Sequence, residues 1–336
     1  MLIKNIQFSE KPFTELDDAG KLRQLAGYAC LAPSSHNTQP WLFKLVGRTI
    51  IVRANTARRL VASDKQGREM YISLGAAVSN LQLAAQALGL KYDLETSTSP
   101  DAVAVFKFGG LDGAAADTAL LQSLTQRENS RNNFEDRAVS GELLEKIKGA
   151  AGNLLEIHFV DEVEKKEKIS NIIGNATKAA FLDAEFTEEL SHWIKPSLKK
   201  YEDGMPGYNL GVPWFFSLAL PWIIKYVPSA NLQRFMVLDT LRHTPAFGVI
   251  TTKRDSPGEW LLTGQVFEKA AVQAQSLGLK IGVLAAPVEI GGFYKEMQEV
   301  LQTADKPQLF FRLGYCKKTS EPAPRLALNK VIIQQS

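Results

Sequence analysis

The sequence predicts an α+β protein made of two tandem repeats that pair as a pseudo-dimer, with central helices at the interface and mixed or antiparallel sheets. Three observations carry this. The run Ala85-Gln86-Ala87-Leu88-Gly89-Leu90-Lys91 recurs as Ala274-Gln275-Ser276-Leu277-Gly278-Leu279-Lys280, an offset of 189 that also places Gly75 on Gly264. Val105-Phe106-Lys107-Phe108-Gly109 has a counterpart in Phe310-Phe311-Arg312-Leu313-Gly314, and helix Lys21 to Ala29 has one in Leu143 to Ala151. Elements repeating in one order imply an internal duplication, with halves 1–126 and 127–336 packed about a pseudo-two-fold axis.

The elements follow in order. Residues 1–16 read as an irregular lead-in, followed by an apolar-striped helix from Asp18 to Leu31. The polar turn Pro33-Ser34-Ser35-His36-Asn37-Thr38-Gln39-Pro40 comes next. Trp41 to Val46 and Thr49 to Ala54 alternate as strands across Gly47-Arg48, a hairpin signal. Met70 to Leu88 is apolar almost all round, so it belongs at the centre of the fold, and Gly89 ends it as a C′ glycine does. Lys91 to Thr96 and Val103 to Phe108 are strands, and Ala114 to Thr125 is a helix.

In the second half Ser140 starts a helix to Ala151, and Leu155 to Val160 is a strand. About 161–246 is a mostly helical, partly aromatic insertion and a candidate lid. Ala246 to Thr251 is a strand, and Ser256-Pro257-Gly258-Glu259 opens a helix to Leu277 with the pattern of a capping box. Gln308 to Tyr315 is a strand, followed by a Pro-rich tail carrying Arg325.

Composition narrows the function classes. At 336 residues, 45% hydrophobic and 22% charged, the chain reads as an ordinary globular protein. A formal net charge of +3 is too small to argue for nucleic acid. Cys30 and Cys316 form neither a disulfide framework nor a zinc spacing, which fits a cytoplasmic protein, and no signal-peptide h-region opens the chain. The apolar run from Val212 to Ile224, broken by Pro213 and Pro221, is short for a membrane span. His36, His158, His192 and His243 are scattered, so a metal centre is not expected.

Two polar segments stand out. The 33–41 turn can present short side chains and backbone N–H groups to a ligand, or it can be a plain connector. Arg127-Glu128-Asn129-Ser130-Arg131 can cradle a phosphate, or it can be an ion-paired loop. The halves differ at these places. The turn is missing from the second half, and no arginine precedes the first. Each half has kept one component of a site, so a single composite site is expected.

Together, Pro33-Ser34-Ser35-x-Asn37-x-Gln39-Pro40-Trp41, Arg127-x-Asn129-x-Arg131, the two glycine-stopped helices and Leu313-Gly314-Tyr315 ahead of Arg325 resemble the FMN-dependent nitroreductase superfamily. Arg68-Glu69 ahead of Gly75, and Gly258-Glu259-Trp260-Leu261 ahead of Gly264, are similar to its single-chain, internally duplicated Acg-like branch. The resemblance implies that Arg127, Asn129 and Arg131 hold the phosphate and one flavin edge, with Arg325 closing on the phosphate. It also implies that Pro33, Ser34, Ser35 and Asn37 meet the ribityl chain and ring, and that Pro287-Val288-Glu289 turns backbone N–H groups toward flavin N5. NAD(P)H would be the electron donor and a nitroaromatic or quinone the acceptor, with no catalytic side chain required. A lidded FMN-sequestering protein with little reductase activity is the alternative, and a membrane-peripheral protein with a vestigial flavin is a third. Further homodimerisation of the internal pseudo-dimer is left open.

Overall fold

The computed structural model describes residues 2–3, 5–111, 116–152, 154–318 and 321–333. The first half runs α1 (Asp18–Ala29), β1 (Trp41–Val46), β2 (Thr49–Ala54), α2 (Arg68–Ala87), β3 (Tyr92–Thr96), β4 (Ala104–Phe108) and α3 (Thr118–Gln126). The helix expected from Ala114 thus begins at Thr118, behind an Asp117 side chain that accepts from Leu120 N; residues 112–115 lie outside the described residues. The second half runs α4 (Gly141–Ala151), β5 (Glu156–Val160), then α5 (Val163–Leu182), α6 (Ala184–Trp193), α7 (Trp214–Ser217), α8 (Leu220–Tyr226) and α9 (Ala230–Arg242) of the insertion. It continues with β6 (Ala246–Thr252), α10 (Pro257–Ser276), β7 (Lys280–Val283), α11 (Ala286–Glu289), α12 (Phe293–Leu301) and β8 (Lys306–Gly314). The chain returns to the first half at β9 (Ile332–Ile333).

Two antiparallel sheets share one strand order. In the first, β1-β2-β4-β3 are neighbours, and β9 is added parallel to β1. In the second the order is β5-β6-β8-β7. In each, a long helix joins the second strand to the third, and the insertion sits between β5 and β6. Strand β7 and helices α11 and α12 are absent from the sequence reading. Their segments are short, and the helices begin next to Pro287 and Gly292, where no apolar period develops.

The long helices α2 and α10 cross at the centre of the main core. A Cβ at Gly75 would stand 2.0 Å from Leu261 O, and one at Gly264 would stand 1.9 Å from Ile72 O. Both helices end alike, with Gly89 and Gly278 at φ +66° and +76°. Leu90 N then donates to Ala85 O, and Leu279 N to Ala274 O, each at 2.9 Å. The capping box expected at Ser256 does not form. Its side chain makes no cap bond, and Glu259 pairs instead with Arg254 at 3.3 Å.

The insertion leaves Trp214, Phe215, Phe216, Trp222 and Tyr226 exposed. No helix among the described residues is long and apolar enough to cross a membrane.

The crossing makes a stability prediction. Gly264→Ala forces backbone apart and is expected to cost about 2–3 kcal/mol or more. Gly149→Ala, on an exposed helical position with nothing within 4 Å of the added Cβ, is expected to gain up to about 1 kcal/mol. Urea unfolding of the two variants checks the contrast; equal midpoints would contradict the close packing.

Candidate functional site

The turn after α1 is held in a strained shape. His36, Asn37 and Gln39 have φ of 50°, 56° and 52°, a region that L-residues seldom adopt. The surroundings over-determine it. Ser34 Oγ accepts from Gln39 N at 2.9 Å, Gln39 Nε2 donates to Glu202 O at 2.8 Å, and Leu326 N donates to Gln39 Oε1 at 2.8 Å. Asn37 Nδ2 reaches Gly204 O and Pro324 O, each at 3.0 Å. Arg325 is the clamp. It donates to the carbonyls of Cys30, Leu31 and Ala32 where α1 runs out, and to Asn37 Oδ1 at 3.1 Å. Burial first, and the Arg127 charge second, bring its pKa down to about 9.

Arg127 crosses from the second half. Its Nε lies 2.8 Å from Glu268 Oε1 on α10, both groups being buried, and its Nη2 donates to Leu31 O at 3.2 Å. It therefore ties the central helix to the start of the strained turn. Asn129 approaches Arg127 Nη1 at 3.4 Å and forms an isolated bridge to Ile281. Among the described residues, the hydrogen-bond partner of Arg131 is Met205 Sδ, 3.1 Å away. Arg131 keeps accessible surface along the cavity it lines, yet the surrounding protein is dense enough for desolvation to lower its pKa.

These segments wall two adjoining chambers that share Pro33, Ser34, His36, Asn129, Arg131 and Met205. The smaller, about 110 Å³, is polar and adds Asn37, Arg127 and Arg325. The larger, about 270 Å³, adds Ser35, Ile72, Ala76, Phe267 and Glu289. Of the ten residues predicted from sequence, nine line one or both chambers; Val288 is buried in α11 and lines neither. The insertion contributes Ala180, Phe186, Leu190 and Met205 to the larger chamber.

His36 was missed as a site residue because the four histidines are dispersed in sequence. Its place inside the polar turn was the usable signal. It lines both chambers and its ring meets Phe186 edge-on at 6.4 Å. Its Nδ1 is buried with no hydrogen-bond partner among the described residues, and burial lowers its pKa to about 4, so the imidazole is neutral at physiological pH. In sequence Glu69 belongs to the Arg68-Glu69 pattern ahead of Gly75, which carries no role for its carboxylate. The helical turn after Gly67 points that carboxylate into the larger chamber.

No family model matches the sequence. Among individual proteins, Rv3131 of Mycobacterium tuberculosis (strain ATCC 25618 / H37Rv), provisionally named an NAD(P)H nitroreductase, is 24% identical over 332 residues, spanning 95% of this chain and 93% of its own. Over almost its whole length the chain is similar to proteins provisionally named NAD(P)H nitroreductases. PigM of Serratia sp. (strain ATCC 39006), also provisionally named an NAD(P)H nitroreductase, is 21% identical over 93% of this nitroreductase-like chain and 92% of its own. The solved structure of the FMN and NADPH-dependent nitroreductase NfnB from Sphigopyxis sp. strain HMH aligns with a TM-score of 0.45 and 17% identity, covering 65% of this chain and 99% of NfnB.

Asp64 offers a pH test of the site's frame. It accepts from Glu69 N and Met70 N at 3.1 and 3.0 Å, and burial, followed by the Glu69 charge, raises its pKa to about 6. The folded protein thus holds this proton more tightly than the unfolded chain. The resulting stability is full below about pH 4 and is lost as pH rises through about 6. Asp64→Asn is expected to gain on the parent by about 2–3 kcal/mol over that interval, measured as the difference between their urea midpoints at the two ends. A constant difference would contradict the raised pKa.

Proposed function

We propose that this chain binds FMN and moves electrons from NAD(P)H to flat acceptors of the nitroaromatic or quinone type. One observation carries the reading. The Pro33–Asn37 turn of the first half and the Arg127–Arg131 loop opening the second wall the same pair of chambers. The provisional names of Rv3131 and PigM support the same reaction class.

The residues present fit the group. Arg131 has guanidinium donors beyond its single sulfur contact, and with the neighbouring charges of Arg127 and Arg325 it makes the smaller chamber suited to a phosphate. All three of the Arg325 nitrogens already face protein carbonyls or Asn37 Oδ1, so its contribution to a bound anion is charge and support of the turn. Ile72, Ala76 and Phe267 give the larger chamber apolar walls for a planar ring, and His36 Nδ1 needs a partner that the described residues do not supply. Bound FMN supplies hydride transfer; Ser34, Ser35, Asn129 and the Val288–Glu289 backbone would orient it.

The shared strand order and the reciprocal contacts of Gly75 with Leu261 and of Gly264 with Ile72, in which the offset of 189 carries Gly75 onto Gly264 and Ile72 onto Leu261, support an internal pseudo-dimer with repeats 1–126 and 127–336. A single composite site per chain is supported by the turn at 33–41 and the arginine loop at 127–131, each of which occurs once in the sequence.

The insertion residues walling the larger chamber favour a second reading, a covered FMN that turns over slowly. Anaerobic mixing of the purified yellow protein with NADPH separates the two: bleaching within seconds supports the reductase, whereas a persistent flavin spectrum supports sequestration. A colourless protein that takes up no added FMN overturns both. Arg131→Ala is expected to weaken FMN binding at least tenfold (about 1.4 kcal/mol), read by fluorescence titration; unchanged affinity would contradict the phosphate role.

A further inference from the structure

One wall of the larger chamber is acidic. Glu69 on α2 and Glu289 on α11 both line it, each with a side chain about one-tenth exposed. Arg68 stands between them, with Nη2 2.5 Å from Glu69 Oε1 and 3.8 Å from Glu289 Oε1. Its Nη1 is already committed to Gln308 O. Ser35 donates its hydroxyl to Glu69 Oε2. Asp64, which accepts from the Glu69 and Met70 amides at the start of α2, adds a third carboxyl within electrostatic reach of the same guanidinium, while the neutral His36 of the turn lies within such reach of Glu69, of Glu189 in the insertion and of Arg131 in the arginine loop. One cation against three buried carboxyl groups cannot balance them all in the ionised state.

Hydrogen bonding divides the pair. Glu69 accepts from Ser35 and Arg68, so its oxygens serve as acceptors. Glu289 has Arg68 only at 3.8 Å and shares that guanidinium with Glu69. Burial, and then the Glu69 charge, hold its carboxyl well above the usual carboxylate range, in the protonated form that can donate to Glu69.

We propose that Glu69 and Glu289 share one proton and deliver it to the acceptor as it is reduced. This rests on the oxidoreductase reading above and adds an acid to a site for which the sequence offered none. For a quinone, the overall change is quinone plus NAD(P)H plus one proton to hydroquinone plus NAD(P)⁺. NAD(P)H is oxidised and its hydride equivalent supplies two electrons and one hydrogen to the quinone. The Glu289 O–H bond breaks, a new O–H bond forms on the quinone oxygen, and water reprotonates the pair. Ser35, in the strained turn, positions Glu69 and so couples the turn's shape to the acid.

Two measurements test this. Infrared spectra at neutral pH should show a carbonyl band of un-ionised carboxylic acid that shifts in D₂O and vanishes in Glu289→Gln. This readout needs no turnover. Separately, bound FMN reduced with dithionite is mixed anaerobically with a benzoquinone across about pH 5 to 9. The parent rate should fall as pH rises and Glu289 loses its proton. Glu289→Gln should be slower by at least about tenfold and flat with pH, and Glu69→Gln, which removes the neighbouring charge, should move the fall to lower pH. A missing band, or a Glu289→Gln profile matching the parent, overturns the proposal. Because dithionite supplies the electrons, failure of NAD(P)H to reduce the protein would count against the donor assignment alone.

Discussion

Two helices can approach to backbone contact only where neither side interposes a Cβ, and this fold turns on one such crossing. Gly75 and Gly264 let α2 and α10 meet with a carbonyl of each helix occupying the space a side chain would fill. The crossing fixes what each helix shows to the chambers. From α2 come Glu69, Ile72, Ser73 and Ala76, and from α10 comes Phe267, while Glu268 points to Arg127. A displacement at the crossing would therefore move the apolar wall, the acidic wall and the anchor of the arginine loop together.

The second constraint is charge. Arg127 and Glu268 are both buried, a costly arrangement unless the two remain paired, and their 2.8 Å contact pins the loop after α3 to the central helix α10. Arg325 does the same for the turn after α1, satisfying three carbonyls that the helix end leaves without partners. With both arginines so engaged, Arg131 is left as the more adaptable cation of the polar chamber. The arrangement separates structural from ligand-facing charge within one cluster, which residue type alone does not reveal.

Much of this was legible in the sequence. The central helices, their glycine stops and the β1–β2 hairpin follow from local periodicity and turn chemistry, and they form with shifts of only one or two residues. The turn after α1 and the arginine loop after α3 were legible as polar segments between apolar elements, and nine of the ten expected residues line the chambers. What escaped depends on distance in space. Nothing local distinguishes an arginine that binds carbonyls from one that faces a cavity, as with Arg325 and Arg131. Likewise, the Glu69–Glu289 pair joins residues that only the crossing of α2 and α10 and the placement of α11 bring together. The capping box at Ser256 failed for the opposite reason: an exposed arginine nearby offered Glu259 another partner.

The proposed function depends on one chain making a single FMN site from the turn after α1 and the arginine loop after α3. It is tested most directly by counting FMN released on denaturation against chain concentration in the purified, FMN-saturated protein. A ratio close to one is expected. A ratio near two would mean that both halves carry complete sites, and a ratio near zero would mean that the chambers hold something else.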